Sequence, residues 1–298
     1  MTPSDTSGIP ADVRHVVAAA YPELSGRPLN PLAEGQFSLA VLLDETLVLR
    51  FPHHRFGGSK LRREAELLSA IAQGLPAPVS VPVRVELDRD SPGAFVAHHF
   101  IPGRIVRRQM LEHLDPPAAQ QLASAAGGFL AALHRIDPSA VPAAVPRQDF
   151  RAFAADLRAR TMEVLWPRMN GAGRRRAGIE LAGLDSVVDR PPVLCHCDIG
   201  GNLIYDETLS QMGVIDFGEA MLTNPVLDAA SLSVLGPGFM QAVARTYPLL
   251  ADCLADADRL RATFALQDAL GGAAQEDWGY VDRILDAYQR TAGTASTC

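Results

Sequence analysis

The chain has 298 residues, 48% hydrophobic and 20% charged, an ordinary globular composition that argues against disorder and is long enough for one large domain or two lobes with separate cores. A formal net charge of −7 and a pI near 5.6 argue against sequence-independent nucleic-acid binding, which needs a basic face to displace counterions, and suit a cationic ligand. No basic segment followed by an apolar stretch opens the chain and no run of about 18 apolar residues occurs, so the expectation is a cytoplasmic protein with no membrane partner; four cysteines make no disulfide scaffold.

In chain order, residues 35–101 read mostly as strand. FSLAVLLD and TLVLRFP are β-rich runs joined at Asp44-Glu45, which predicts a hairpin. SVPVRVELD and AFVAHHFI predict a second pair across the turn signal RDSPG, Arg89 to Gly93. Between the pairs, Leu61, Ala65, Leu68 and Ile71 recur at helical spacing, with Ser59 as the expected cap and Gly74 and Pro76 as the stop. After Gly103 the pattern becomes helical. Asp115 and Pro116 open a helix with Leu122, Ala126, Phe129, Leu130 and Leu133 on one face. FRAFAADLRARTMEVLWPRM predicts a further helix, LIYD and MGVIDF predict short strands around the polar turn ETLSQ, and residues 241–292 read as helix. The expected organisation is α+β and two-lobed: a small β-rich lobe with one helix over residues 1–99, joined through FIPGR to a larger, mainly helical lobe over residues 100–298.

Chemistry concentrates in CHCDIGGNLIYD, from Cys195 to Asp206, and in the DFG that begins at Asp216. Two readings compete. A zinc knuckle needs four ligands, commonly as two paired sets; Cys195 and Cys197 flank His196, but Cys253 and Cys298 stand alone and no second pair exists. A phosphate site needs a carboxylate to orient and deprotonate an attacking hydroxyl, together with hard oxygen donors for Mg²⁺. Asp198, Asn202 and Asp216 supply these types, and Gly200-Gly201 would let the backbone pass close to a ligand.

HCDIGGN and IDFG together resemble the H-x-D, N and D-F-G core of the protein-kinase-like fold. The fuller strings LCHCD, NLIYD, GVIDFGEA and NPVLDAA resemble the aminoglycoside phosphotransferase family over about Leu32 to Tyr288. The resemblance implies transfer of the γ-phosphate of ATP or GTP to a hydroxyl, with Asp198 as catalytic base, Asn202 and Asp216 as Mg²⁺ ligands, and His196 and Asp228 as supports of the catalytic loop. The departure is one residue: Asn202 follows Asp198 by four positions where the kinase pattern has five, while the eighteen positions from Asp198 to Asp216 agree.

The same resemblance places Gly35 and Ser38 in a phosphate-covering loop and Arg50 where the kinase fold normally has lysine. Arginine holds phosphate bidentately but lacks the compact ammonium. Its expected partner is Glu64, with Glu66 as the alternative, about 200° around the helix. Main-chain groups of His98 to Ile101, Phe100 included, would meet the purine. His134, near a helix end, reads as structural, held by terminal carbonyls. Lys60 is the only lysine among 27 basic residues, a bias of composition as much as of any one site.

On the acceptor side, Glu219 follows the DFG turn, and Asp268, Glu276, Asp277 and Asp282 populate the late helices with Trp278 and Tyr280. Carboxylates beside aromatic faces suit an aminoglycoside, which carries several ammonium groups. The expected partner is therefore a small cationic hydroxyl acceptor, bound by a monomer. The alternatives are a metabolite or macrolide kinase of choline, homoserine or fructosamine type, and a nucleotide-binding module without transfer activity.

Overall fold

The computed structural model describes residues 8–35, 37–88 and 93–294. Gln36, the tip of the RDSPG turn (Arg89 to Pro92) and Cys298 lie outside the described residues. The chain divides into two compact units, one drawn from Met1–Val106, Arg135–Val145 and Asn202–Ala220, the other from Arg107–His134, Pro146–Gly201 and Met221–Cys298.

The first unit is built on an antiparallel sheet in the order β1-β2-β3-β5-β4, with β1 at Leu29–Glu34, β2 at Ser38–Leu43, β3 at Leu47–Pro52, β4 at Pro82–Glu86 and β5 at Phe95–His99. Asp44 and Glu45 both take positive φ, 50° and 54°, the two-residue hairpin geometry that matches strand twist. Register sets the two faces. Val41 pairs with Leu49, and Leu49 with Ala97; with Leu43, Phe51 and Phe95 they bury against Ile9, Val13 and Val17, the last two from helix α1 (Ala11–Ala20). One residue out of phase, Arg50 pairs with Val96 and Val48 with His98. The period of two therefore puts Arg50 and His98 on the opposite face.

Helix α2 (Arg55–Ile71) starts four residues before the expected cap. His54 is the N-cap, its Nδ1 accepting from Gly57 N at 3.1 Å, while Ser59 bonds back to Arg55 O at 3.1 Å. The strands Leu203–Asp206 and Gln211–Val214 form the expected hairpin, and Arg104–Ile105 adds to it. Gly103, at φ +117°, passes so close to Tyr205 that a Cβ would lie 2.6 Å from its carbonyl carbon; no other residue fits there.

The second unit is helical: α3 (Arg108–His113), α4 (Pro116–Leu133), α5 (Phe150–Arg160), α6 (Gly171–Gly183), the single turn α7 (Ile199–Asn202, which ends in the first unit), α8 (Val226–Leu232), α9 (Pro237–Thr246), α10 (Pro248–Ala262), α11 (Phe264–Ala274) and α12 (Trp278–Thr294). Asp115 caps α4 as expected, accepting from Ala118 N at 2.7 Å. The stretch after α5 continues through a π-turn at Thr161–Leu165. Val193–Cys195 pairs with Met221–Thr223, so the chain just before the H-x-D motif is braced by a strand. Among the described residues, no helix is long and apolar enough to cross a membrane.

Candidate active site

In the first unit, Arg50 reaches from β3 to two carboxylates. Its Nη1 lies 2.7 Å from Glu64 Oε2 and its Nη2 lies 3.2 Å from Asp216 Oδ1. Glu64 is buried, and its other oxygen accepts from Phe217 N at 3.1 Å; Glu66, the alternative partner, faces solvent. Burial works against the charge on Arg50, but Glu64 and Asp216 outweigh it and hold the guanidinium above its ordinary value. Burial likewise pushes the Glu64 carboxyl up, countered by Arg50.

These contacts belong to a ladder. Lys60, Arg63 and Glu64 lie three and four residues apart on one face of α2. Each meets one residue of the turn after Asp216: Glu64 binds Phe217 N, Arg63 Nη2 donates to Gly218 O at 2.8 Å, and Lys60 pairs with Glu219. Asp216 itself stands at φ 60°, a left-handed position uncommon for a residue with a Cβ. The structure thus gives Glu219 a cationic partner that the sequence reading, which put it beside the acceptor, did not foresee. The available signal was that Lys60 is the only lysine.

Gly35 and Ser38 form a turn, Gly35 N donating to Ser38 O at 3.0 Å, with the Gly35 carbonyl 3.1 Å from His53 Nε2. His98 is buried, its Nδ1 2.9 Å from His99 O, and burial lowers its affinity for a proton. The Phe100 amide donates to Thr46 O at 2.8 Å, so the sheet engages the N–H that the resemblance would offer to a base. Asn202, in the same unit, accepts from Ile215 N through its carbonyl at 3.1 Å.

In the second unit, the H-x-D motif is organised by Asp228, which is fully buried. One oxygen accepts from His134 Nε2 at 2.9 Å and His196 N at 3.1 Å, the other from Cys197 N at 2.7 Å. A carboxylate accepts only, so His134 carries its proton on Nε2, and Nδ1 takes the Tyr247 hydroxyl at 3.0 Å. His134 is therefore structural as expected, but its partners are Asp228 and Tyr247 and not helix carbonyls. The Asp228 contact holds Cys197 at φ 68°, a strained conformation of the kind found at functional turns. His196 Nδ1 then accepts from Asp198 N at 3.2 Å, and the Asp198 side chain faces solvent.

The two adjacent glycines meet different surroundings. A Cβ on Gly200 would lie 2.0 Å from Ser231 O, whereas one on Gly201 would make an ordinary 3.7 Å contact with Asp198 Oδ1. Gly200 N also donates to Ser231 Oγ at 2.9 Å. Gly200 is required by packing on α8. The Cys195 thiol is a packing group too, buried against the carbonyls of Thr223 and Asn224, and burial pushes it well up. His134, Cys195 and Asp228 approach one another closely enough to hold an ion, but hydrogen bonds already engage both oxygens of Asp228.

Of the late acids, Asp277 caps α12 through Tyr280 N at 2.9 Å, and Asp268 accepts the Tyr280 hydroxyl at 2.8 Å. Tyr280 thereby gathers two of the expected acceptor residues at one exposed corner. Glu276 adjoins them at φ 59°. Asp282 pairs with Arg168 at 2.8 Å.

A sheet-based unit carrying an Arg–Glu pair and a DFG turn, and a helical unit carrying a braced H-x-D loop, define an α+β protein-kinase-like fold. The comparisons agree. The structure of the GDP and kanamycin complex of APH(2")-IIia superposes with a TM-score of 0.85 at 18% identity, covering 96% of this chain and 100% of that one. The apoenzyme of macrolide 2'-phosphotransferase MphH from Brachybacterium faecium superposes with a TM-score of 0.68 at 19% identity, covering 91% and 96%. Viomycin phosphotransferase of Streptomyces vinaceus is 28% identical over 260 residues, 83% of this chain and 88% of its own. The family model described as "Phosphotransferase enzyme family" matches residues 28–262. The chain belongs to that phosphotransferase family and is an enzyme of the kinase type.

Proposed function

We propose that this phosphotransferase moves the γ-phosphate of ATP or GTP to a hydroxyl of a small cationic antibiotic, an aminoglycoside first among them. The observation that carries the reading is the ladder from α2 to the Asp216 turn. It holds a cation, Arg50, and a carboxylate, Asp216, 3.2 Å apart on a fixed support, as a triphosphate site needs. Asp198, oriented through His196 and Asp228, accepts the proton of the attacking hydroxyl. Arg50 draws phosphate oxygens into register, and Gly35 and Ser38 close over them. Asn202 and Asp216 fit Mg²⁺ in donor type, one neutral amide oxygen and one carboxylate, and Asp216 keeps 45% of its side chain exposed. Mg²⁺ would supply neutralisation of charge on the phosphate oxygens. His98 and the main chain on either side of Phe100, whose own N–H is held by Thr46 O, line the base. The net charge of −7 and the exposed acids Asp268, Glu276 and Asp277 favour a cationic acceptor, as does the kanamycin complex of the superposed structure.

The test is transfer of labelled γ-phosphate from ATP and from GTP, with Mg²⁺, to kanamycin, viomycin and a macrolide in parallel. Label on kanamycin is the expected result. Label only on another acceptor would replace the acceptor class, and nucleotide binding with no transfer to any hydroxyl would overturn the reading.

A further inference from the structure

The one lysine of the chain has a second neighbour besides Glu219. Lys60 Nζ lies 3.7 Å from the centroid of the Phe37 ring and 5.3 Å from that of Phe56. Phe37 belongs to the β1–β2 loop, one residue before Ser38, and its carbonyl accepts from His53 N at 3.0 Å. Its ring packs edge-on against Phe56, with centroids 5.7 Å apart. The Lys60 side chain is only 11% exposed. Ring face and carboxylate therefore act on an ammonium stripped of most of its water, where each attraction is stronger. A guanidinium is planar and wide, and it does not take the place of a compact ammonium between a ring face and a carboxylate. In a chain whose other basic side chains are all arginine, this site holds the exception.

We propose that Lys60 is a positioning residue that locks the phosphate-covering loop, through Phe37, to the Asp216 turn, through Glu219. Two elements that meet the nucleotide from different parts of the sequence are thereby carried by one helix, α2. The role rests on the phosphotransfer reading, which makes those elements nucleotide-binding. Without Lys60, the loop and the turn no longer hold one another, and Glu219 adds an unbalanced negative charge next to the phosphate site. The loss falls on nucleotide binding more than on the chemical step.

The experiment compares nucleotide KM, kcat and the Kd of Mg·ADP for wild type, Lys60→Met, Lys60→Arg, Phe37→Leu and the Lys60→Met/Phe37→Leu pair. Thermal melting establishes that each is folded. Glu219→Gln is the second route, because its half-exposed carboxylate can be removed without emptying the core. Expected are a nucleotide KM raised about 5-fold or more in Lys60→Met, a coupling of ordinary size, with kcat changed far less. Lys60→Arg should recover part of the loss, the double variant should bind no more weakly than the weaker single, and Glu219→Gln should shift KM in the same direction. Lys60→Met that melts and binds nucleotide like wild type, or effects of Lys60 and Phe37 that simply add, would overturn the role. If the wild-type chain itself bound no nucleotide, the phosphotransfer reading would fall first; if it bound and the variants matched it, Lys60 alone would lose its role.

Discussion

Arg50 and Glu64 meet at 2.7 Å on the α2 face of the sheet, and the second oxygen of the same carboxylate takes the Phe217 amide at 3.1 Å. One buried carboxylate therefore fixes both the expected phosphate cation and the residue after the expected metal ligand. Removing Glu64 leaves Arg50 with Asp216 as its remaining carboxylate and strips the buried Phe217 amide of its acceptor, an unsatisfied group that costs about 1–3 kcal/mol. Glu64→Ala should lose about that much in urea unfolding and should weaken nucleotide binding. Arg50→Lys should recover charge but not the simultaneous reach to Glu64 and Asp216, so its nucleotide KM should rise while it stays folded. A Glu64→Ala variant as stable as wild type would deny the pair its place in the core.

Asp228 is the corresponding anchor of the second unit, accepting from His134, His196 and Cys197. Asp228→Asn keeps the shape but turns an amide N–H toward one of three donors. Leaving such a group unsatisfied costs about 1–3 kcal/mol. The expected outcome is a lower melting temperature together with a fall in kcat, because the Asp198 backbone hangs on His196. Unchanged kcat in a destabilised Asp228→Asn protein would separate the anchor from catalysis.

The two adjacent glycines should behave differently. Gly200→Ala drives a Cβ into the Ser231 carbonyl, backbone that cannot swing aside, whereas Gly201→Ala meets only an ordinary contact. Overpacking of this kind costs about 1–3 kcal/mol. Melting curves should show Gly200→Ala clearly destabilised and Gly201→Ala within about 0.5 kcal/mol of wild type. Equal effects would mean that the close approach to Ser231 does not limit the loop.

His98 gives a pH signature. Burial holds its imidazole below the usual 6.5, so below pH 6.5 the unfolded chain binds a proton that the folded chain resists. The stability this contributes is full above pH 6.5 and is lost as pH falls from there toward the lowered folded value. The stability difference between wild type and His98→Gln should therefore move against wild type as pH drops through that window. A difference independent of pH would show that His98 titrates normally.

The sheet was readable because β2 (SLAVLL), β3 (LVLRFP) and β5 (FVAHH) are short apolar, β-rich runs set off by turn residues, and α4 because Asp115 and Pro116 are standard opening residues. Three features escaped for physical reasons. β1 is an edge strand with five of its six residues exposed, and it carries Pro31 at a bulge, so it has no β-rich apolar run to detect. α6 buries only Gly173, Ala177 and Leu181, a stripe too small to register as an apolar face. α2 begins at Arg55 because an imidazole caps it, outside the usual set of capping side chains. At the candidate site the motif residues are legible, and the resemblance carried by NPVLDAA also pointed to Asp228 as a support of the catalytic loop. The tie of Lys60 to Glu219 is not legible, because the two are 159 positions apart and no local pattern announces such a pair. The acids at the Tyr280 corner proposed for the acceptor have local duties, as a helix cap and a hydroxyl acceptor, which composition alone cannot distinguish from ligand binding.

Single-turnover transfer of γ-phosphate in wild type and Asp198→Asn, with the Kd of Mg·ADP measured alongside, decides whether Asp198 takes the proton of the attacking hydroxyl. General-base catalysis contributes about 10²–10⁴ in rate, so Asp198→Asn should lose transfer on that scale while binding nucleotide as wild type does. Transfer by Asp198→Asn at the wild-type rate would show that Asp198 is not the proton acceptor.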